Sequence, residues 1–86
     1  MFAVYILKSL KDEQLYVGST NDLKRRLGEH NAGKSYATRL RKPFKLIYYE
    51  MYISEKDARR REHNLKLTAR ALEQLKRRLT DTLSLA

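Results

Sequence analysis

Three segments of the chain carry the aromatic, β-branched and aliphatic residues that favour β-strands. They span residues 2–9, 14–19 and 44–53. The polar tripeptide at 11–13 separates the first two segments, which predicts a β-hairpin. The third segment contains only two charged residues, and this composition predicts a strand that is buried on much of both faces.

Apolar residues recur at helical spacing between and after these strands. The pattern predicts a first helix over about residues 20–32, capped by one of the polar residues at 20–22. Ser54 begins a Ser-x-x-Asp sequence that resembles a capping box and predicts a second helix to about Leu67. A further helical repeat follows over about residues 68–84.

The resulting order is ββαβαα, which predicts an α+β fold with a three-stranded antiparallel sheet flanked by helices. A chain of 86 residues and 10.2 kDa is too short to bury two separate cores. No linker, repeat or low-complexity stretch divides it, so we expect one domain over residues 1–86.

Charge narrows the class of partner. The chain has 19 Lys and Arg against 10 Asp and Glu, a net charge of +9 and a pI near 10.0, so we expect a polyanion as partner. The absence of Cys excludes disulfides, Cys-ligated zinc and thiol catalysis. The longest apolar run, residues 2–7, is far shorter than a membrane span, so we expect a soluble, cytoplasmic protein.

Three polar residues fall where helices are normally apolar. Projected at about 100° per residue, Arg26 and His30 lie on or beside the apolar stripe of the first helix, and Glu62 lies on the inward face of the second. Burial of an unpaired charge is costly, so these residues should meet each other, a metal or a polar cleft. One interpretation is a structural Arg26–Glu62 ion pair with His30 filling space. The other is a site that cleaves phosphodiesters, which needs a cation, a base and a metal-binding carboxylate.

Two short tyrosine motifs and three polar helix residues occur in a defined order along the chain. Ala3-Val4-Tyr5 is followed, after ten intervening residues, by Tyr16-Val17-Gly18, then by Arg26-x3-His30 in one predicted helix and Glu62 in a later one. This set resembles the GIY-YIG nuclease family over about residues 2–66. Within the family the chain is most similar to small stand-alone bacterial members related to the N-terminal nuclease domain of the UvrC excision-repair enzyme.

The resemblance implies roles for the aromatic part of the site. Tyr5 would act as general base or position the attacking water, and His30 would hydrogen-bond Tyr5 and help it lose or relay a proton. Tyr16 would bind at the scissile phosphate, and Gly18 matches the motif glycine, where the missing side chain permits close approach. A free tyrosine has a pKa of about 10, and we expect Arg26, His30 and a metal to favour the phenolate of Tyr5.

The resemblance also implies how charge is handled. Arg26 would stabilise the transition state, and Glu62 would hold one divalent metal ion, Mg²⁺ or Mn²⁺. The products would carry 5′-phosphate and 3′-hydroxyl ends. The chain departs from the family pattern at two positions, because Ala3 replaces the first motif glycine and Gln74 stands where many members have an Asn.

Outward basic residues predict a nucleic-acid surface around this site. Residues 32–42 have no stable periodicity, which predicts a mobile basic loop. We expect DNA rather than RNA as substrate, bound without sequence preference or by its structure. A role in repair or recombination and a protein partner that supplies targeting are compatible with such a surface. The candidate nucleic-acid contacts, besides Gly18, are Lys24, Arg25, Lys34, Tyr36, Arg39, Arg41, Lys42 and Lys66.

Two alternatives to a nuclease follow from the same residues. In the first, the protein is a basic nucleic-acid-binding module in which the site survives only as structure. In the second, residues 68–84 form a basic amphipathic helix that binds a membrane surface or a partner protein, although packing against the sheet explains the leucines more simply.

Overall fold

The computed structural model describes residues 1–86 and confirms the α+β fold with a three-stranded antiparallel sheet and helices. Its order is ββαβααα, with one more helix than predicted. The elements are β1 (Phe2–Ser9), β2 (Leu15–Thr20), α1 (Leu23–Asn31), β3 (Phe44–Tyr52), α2 (Glu55–Leu67), α3 (Ala69–Arg78) and α4 (Thr80–Leu85).

The additional helix arises from a break in the predicted C-terminal helix. Leu79 leaves helical geometry at φ −113° and ψ 24°, and its N–H bonds the carbonyl of Lys76 rather than that of Leu75. The neighbouring Thr80 hydroxyl donates to the Arg77 carbonyl, a local bond that competes with the helical ladder. The chain therefore turns between α3 and α4.

The sheet order is β2-β1-β3, so β1 is the central strand. Five consecutive residues of β1, from Ala3 to Leu7, are buried. The prediction that the 44–53 segment is buried on both faces is wrong, because β3 is an edge strand and leaves Tyr49 and Met51 half exposed. Local composition does not distinguish an edge strand from a central one.

Side chains of β1 alternate between two apolar clusters on opposite faces of the sheet. Val4 and Ile6 pack with residues of α2 and α3 in the larger cluster. Tyr5 and Leu7 face the other way and pack with Phe44 under α1. One strand therefore contributes both to the main core and to the buried side of the candidate site.

Polar side chains cap the N-termini of α1 and α2, the two helices that carry residues of the site. The Asp22 side chain accepts a hydrogen bond from the Arg25 N–H at 3.0 Å and so caps α1. Ser54 accepts from the Asp57 N–H at 3.4 Å and caps α2, as the capping-box sequence predicts. These two starts fix the rotation of each helix and thereby the direction of its site residues.

The segment 32–43, which joins α1 to β3, is built of turns and is attached to the domain at several points. Ser35 and Thr38 are buried, and the Arg41 carbonyl accepts a hydrogen bond from the buried Ser9 hydroxyl at 2.6 Å. The segment that the sequence predicts to be a mobile basic loop is therefore held against the domain. Its cations face outward, but its small hydroxyl residues are part of the interior.

Candidate active site

A buried chain of hydrogen bonds links β1, α1 and the 32–43 segment. The Tyr5 hydroxyl lies 2.8 Å from His30 Nε2, and His30 Nδ1 lies 2.6 Å from Thr38 Oγ1. All three residues are at most 1% exposed. The helical projection that placed His30 on the apolar stripe of α1 is confirmed by its burial, and this chain identifies the polar partners of its ring.

Gly18 provides the space that Tyr5 occupies. The two residues are directly opposed across β1 and β2. A Cβ atom at Gly18 would overlap the Tyr5 hydroxyl and would lie 2.5 Å from its Cζ. The glycine of the second motif is therefore needed because the Tyr5 ring lies over its backbone.

Tyr16 lies on the next strand and lines the same polar region. Its ring centroid is 5.1 Å from that of His30, with the two planes nearly perpendicular. The Lys66 ammonium lies 5.4 Å from the Tyr16 ring centroid. Tyr16 thus connects the buried Tyr5–His30 pair with the charged groups of α2.

Arg26 is paired within its own helix and with the 32–43 segment. Its Nη1 lies 3.0 Å from Glu29 Oε1, and its Nη2 donates to the Ser35 hydroxyl at 3.2 Å. The ion pair between Arg26 and Glu62, one of the two interpretations of the sequence, is not formed. The hydrogen bond from Arg26 holds the pKa of Glu29 below its usual value, so this pair stays charged at neutral pH.

Glu62 has two partners from different elements. Its Oε1 accepts from the Ser19 hydroxyl at 2.5 Å, and its Oε2 lies 2.7 Å from the Lys66 ammonium one turn later. Although burial by itself raises the pKa of Glu62, the bonds from Lys66 and Ser19 outweigh it and leave the pKa lowered. Glu62 is therefore an ionised, half-buried carboxylate on the inward face of α2.

A polar cleft of about 430 Å³ opens beside these residues. Its walls include Arg26 and Ser19, together with the guanidinium groups of Arg25 and Arg59. Tyr5 and His30 do not line the cleft, and they lie below the surface. Glu29 and Glu55 also line the cleft and pair with these arginines, so three guanidinium groups face two carboxylates there.

The expectation that the neighbours of Tyr5 favour its phenolate is wrong for the protein alone. Burial raises the pKa of Tyr5 to about 12, despite the opposing effect of the Arg26 guanidinium. Burial also lowers the pKa of His30 to about 4, and Arg26 adds to that effect. At neutral pH a neutral phenol therefore faces a neutral imidazole.

Only part of the predicted nucleic-acid surface is free of acidic partners. Arg41 forms a 2.7 Å ion pair with Asp12, and this hydrogen bond lowers the pKa of Asp12 to about 2. Arg25 is 3.9 Å from Glu29, and Lys66 is bound to Glu62. The candidate cations without an ion pair are Lys24, Lys34, Arg39 and Lys42.

Tyr36 lies in the same basic segment and is 85% exposed. The Arg39 guanidinium is 4.9 Å from its ring centroid. An exposed aromatic ring beside a free cation can accept a stacked base, as expected from the sequence. Gln74, in contrast, is exposed on α3 and makes no side-chain hydrogen bond.

Several hydroxyl residues around the site were not identified from the sequence. Ser19, Ser35 and Thr38 contact Glu62, Arg26 and His30 respectively. Serine and threonine are common in turns, and their spacing here follows no helical or strand period. Only the way in which the folded elements come together distinguishes these three residues from the other hydroxyl residues of the chain.

The donor set around Glu62 determines which metal the site can hold. No group of three or more His, Cys, Asp or Glu residues converges anywhere in the chain. Glu62 and the Ser19 hydroxyl are oxygen donors, and Mg²⁺ is commonly bound by one or two carboxylates, substrate phosphates and water. The residues present therefore fit a hard divalent cation held with substrate, and they do not form a closed protein cage.

Membrane association through a spanning helix is not supported, because every helix is too short or too polar to cross a bilayer.

Comparison with known proteins adds the family context. The GIY-YIG catalytic domain matches residues 1–78. Members of this family typically use a divalent metal ion. The matched region includes both tyrosine motifs, the Arg-x3-His pair and Glu62.

Curated relatives come from bacteria and archaea. The UPF0213 protein of Staphylococcus haemolyticus is 44% identical over 68 residues, which cover 78% of this chain and 82% of the relative. The UPF0213 protein of the archaeon Natronomonas pharaonis is 44% identical over 69 residues, which cover 79% and 80%. The solution NMR structure of a UPF0213 protein from Bacillus halodurans superposes with a TM-score of 0.54 at 41% identity, covering 87% of this chain and 82% of that chain.

Proposed function

Because the chain belongs to the GIY-YIG catalytic-domain family, we propose that it is a metal-dependent endonuclease that hydrolyses phosphodiester bonds of nucleic acid, with DNA preferred to RNA. The observation that carries the proposal is the set of contacts that joins Tyr5, Tyr16 and His30 beside Arg26, which lines the cleft. Glu62 adjoins the same cleft through Ser19. A dispersed arrangement of these residues would have argued against any shared chemistry.

Arg26 is the group that stabilises charge on the phosphate. Its guanidinium lines the cleft and is about one third exposed, so a phosphodiester can reach it. Arg26 is now paired with the Glu29 carboxylate, and a phosphate oxygen of the substrate would take the place of that carboxylate on binding. Guanidinium groups aimed at the non-bridging oxygens stabilise the charge that develops during phosphoryl transfer.

Tyr5 and His30 handle the proton of the attacking water. With the Tyr5 hydroxyl as donor in its 2.8 Å bond with His30 Nε2, Tyr5 can accept a proton from water while its own proton passes to the imidazole. This concerted shift does not require a free phenolate, which the raised pKa of Tyr5 makes scarce at neutral pH. The hydroxide equivalent forms its bond to phosphorus as the bond to the 3′ oxygen breaks.

Glu62 and Ser19 would hold the divalent metal, Mg²⁺ or Mn²⁺. When bound, the metal supplies Lewis-acid stabilisation of the departing 3′ oxygen. The Lys66 ammonium now neutralises the same carboxylate at 2.7 Å and must give way to another cation. Tyr16, whose ring lies beside Lys66, would contact the scissile phosphate.

The outer surface supports binding to a strand without reading its bases. Lys24, Lys34, Arg39 and Lys42 have no acidic partner and can contact phosphates, while Tyr36 offers a stacking surface. Such contacts position a nucleic acid but do not specify its sequence. We therefore expect a non-specific or structure-selective enzyme.

A cleavage assay tests the proposal directly. Supercoiled plasmid, single-stranded and branched DNA, and RNA are incubated with the protein in Mg²⁺, Mn²⁺ or EDTA. We expect metal-dependent cutting that falls at least about a hundredfold in Arg26→Ala, Glu62→Ala and Tyr5→Phe, with binding retained. Arg60→Ala serves as the charge-matched control, because Arg60 is 73% exposed outside the cleft and should cut like the wild type.

Two outcomes would contradict the proposal. Salt-sensitive binding without cutting on every substrate would identify the protein as a nucleic-acid-binding module instead. Cutting that survives both Arg26→Ala and Glu62→Ala would show that the activity comes from elsewhere.

A further inference from the structure

We propose that Thr38 is a positioning residue that fixes the tautomer of His30, so that Nε2 is free to accept the proton of Tyr5. The inference deepens the proposed function and rests on it. Thr38 lies outside the motifs that identify the family resemblance, in the segment between α1 and β3.

The position of Thr38 is determined by the turn that contains it. Its N–H donates to the Ser35 carbonyl at 3.2 Å, and its carbonyl accepts from the Arg41 N–H at 2.9 Å. The side chain is 0% exposed, and its hydroxyl has His30 Nδ1 as its hydrogen-bond partner, at 2.6 Å. A short contact between two fully buried groups leaves no room for water to replace either one.

The surroundings of Tyr5 select one of two possible hydrogen-bond orders. A neutral imidazole carries one N–H, so either Nδ1 donates to Thr38 and Nε2 accepts from Tyr5, or both bonds are reversed. A phenol is a stronger hydrogen-bond donor than an aliphatic hydroxyl, and His30 Nε2 is the hydrogen-bond partner of the buried Tyr5 hydroxyl. The Tyr5 proton is therefore left to His30 Nε2, and Nδ1–H must find its acceptor in Thr38.

This order determines whether the proton relay works. With the lone pair of Nε2 directed at Tyr5, the Tyr5 O–H bond breaks and an N–H bond forms on Nε2 as the water proton arrives at the phenol oxygen. Thr38 continues to accept from Nδ1–H and stabilises the imidazolium that results. In the reverse tautomer an N–H bond already points at Tyr5, and His30 has no site for the proton.

The test uses two variants of similar volume and a spectroscopic readout. Thr38→Val removes the hydroxyl while keeping the branched shape, and Thr38→Ser keeps the hydroxyl. Long-range ¹H–¹⁵N correlation on the labelled full chain reports which nitrogen of His30 carries the proton, and the exposed His63 provides an internal reference. Circular dichroism confirms that each variant is folded.

We expect the Nδ1–H tautomer in the wild type and in Thr38→Ser, and a shift towards Nε2–H in Thr38→Val. Cleavage by Thr38→Val should fall about 10–100-fold in kcat, with KM little changed, and Thr38→Ser should restore most of the loss. An Nε2–H tautomer in the wild type would overturn the inference, and so would an unchanged tautomer or full activity in Thr38→Val.

Failure of the proposed function gives a different result. If no nucleic acid is cut by the wild type, the endonuclease proposal fails, while the His30 signals still report whether Thr38 sets the tautomer. A wild type that cuts, combined with a tautomer insensitive to Thr38, would retain the nuclease and reject only the role of Thr38.

Discussion

Gly18→Ala is the substitution whose effect the structure defines most sharply. The added methyl group would overlap the Tyr5 hydroxyl and would lie 2.5 Å from Cζ and 3.0 Å from Cε2. Tyr5 cannot move away freely, because it is 1% exposed and its hydroxyl is bound to His30 at 2.8 Å. The overlap therefore displaces the ring or separates β2 from β1.

The change in the free energy of unfolding combines two destabilising contributions with one stabilising contribution. Overpacking of a buried site costs about 1–3 kcal/mol. Loss of the hydrogen bond between buried Tyr5 and His30 costs about 1–3 kcal/mol more. Replacement of glycine within a strand by alanine returns only about 0.5–1 kcal/mol. We expect a net loss of about 1–5 kcal/mol in the free energy of unfolding, and a melting temperature at least about 4 °C lower.

Thermal and urea denaturation measure this loss, with Gly28→Ala as the matched control. Gly28 lies in α1, and no atom lies within 4 Å of the Cβ position there, so alanine should stabilise the protein by up to about 1 kcal/mol. Tyr5→Phe combined with Gly18→Ala should be less destabilising than the sum of the two single substitutions, because the nearest overlapping atom is removed. A Gly18→Ala protein that melts at or above the wild-type temperature would refute the reasoning.

Three further measurements test other contacts. Burial raises the pKa of Tyr5 to about 12 from 10.0, so the stabilisation from its neutral form is complete below pH 10 and is lost as the pH rises towards 12. Over that range the free energy of unfolding should fall more steeply in the wild type than in Tyr5→Phe, and parallel curves would contradict this. In salt titrations of DNA binding, Arg39→Ala should reduce the slope by about one, and Arg41→Ala should reduce it less because Asp12 already neutralises that guanidinium; equal slopes would show that Arg41 is free to bind phosphate. Arg61→Met should lower the unfolding free energy by about 1–3 kcal/mol by removing two 3.0 Å bonds to half-buried Glu50, whereas a loss near zero would show that the pair is only a surface contact.

The parts of the site that follow a helical period could be predicted from the sequence. A projection of α1 placed His30 on the buried side and Arg26 beside it, and the structure confirms both positions. The same projection placed Glu62 with Ala58 and Leu65, which are buried. These predictions succeed because a helix converts sequence spacing directly into direction.

The partners of those residues could not be predicted. Arg26 and Glu62 each had an acidic or basic residue three or four positions along the same helix, and these local partners formed the ion pairs. One of the two sequence interpretations instead joined Arg26 to Glu62, because both are expected to point inward. Short intrahelical pairs require less chain ordering than a pair between two elements, and this difference decides which one forms.

The sheet order was a second limit of the sequence. The 44–53 segment has the composition of a central strand, yet it lies at an edge, and the 2–9 segment occupies the centre. Strand neighbours depend on which connection crosses the sheet, and that information is not contained in any one segment. Arg61 shows the same limit, because its bidentate bond to Glu50 depends on where α2 crosses β3.

The alternation along β1 has a consequence for length variation. Val4 and Ile6 pack in the main core, whereas Tyr5 packs on the opposite face of the sheet, at the site. A shift of the strand by one residue would exchange the faces of all these side chains. A single inserted or deleted residue between Phe2 and Leu7 would therefore place a tyrosine in the core and a valine at the candidate site. Insertions are tolerable only where no face is assigned, as at the exposed hairpin tip around residues 11–13. In this chain, a change in length that spares both faces of β1 therefore belongs in the turn between β1 and β2, where it alters the spacing of the tyrosine motifs.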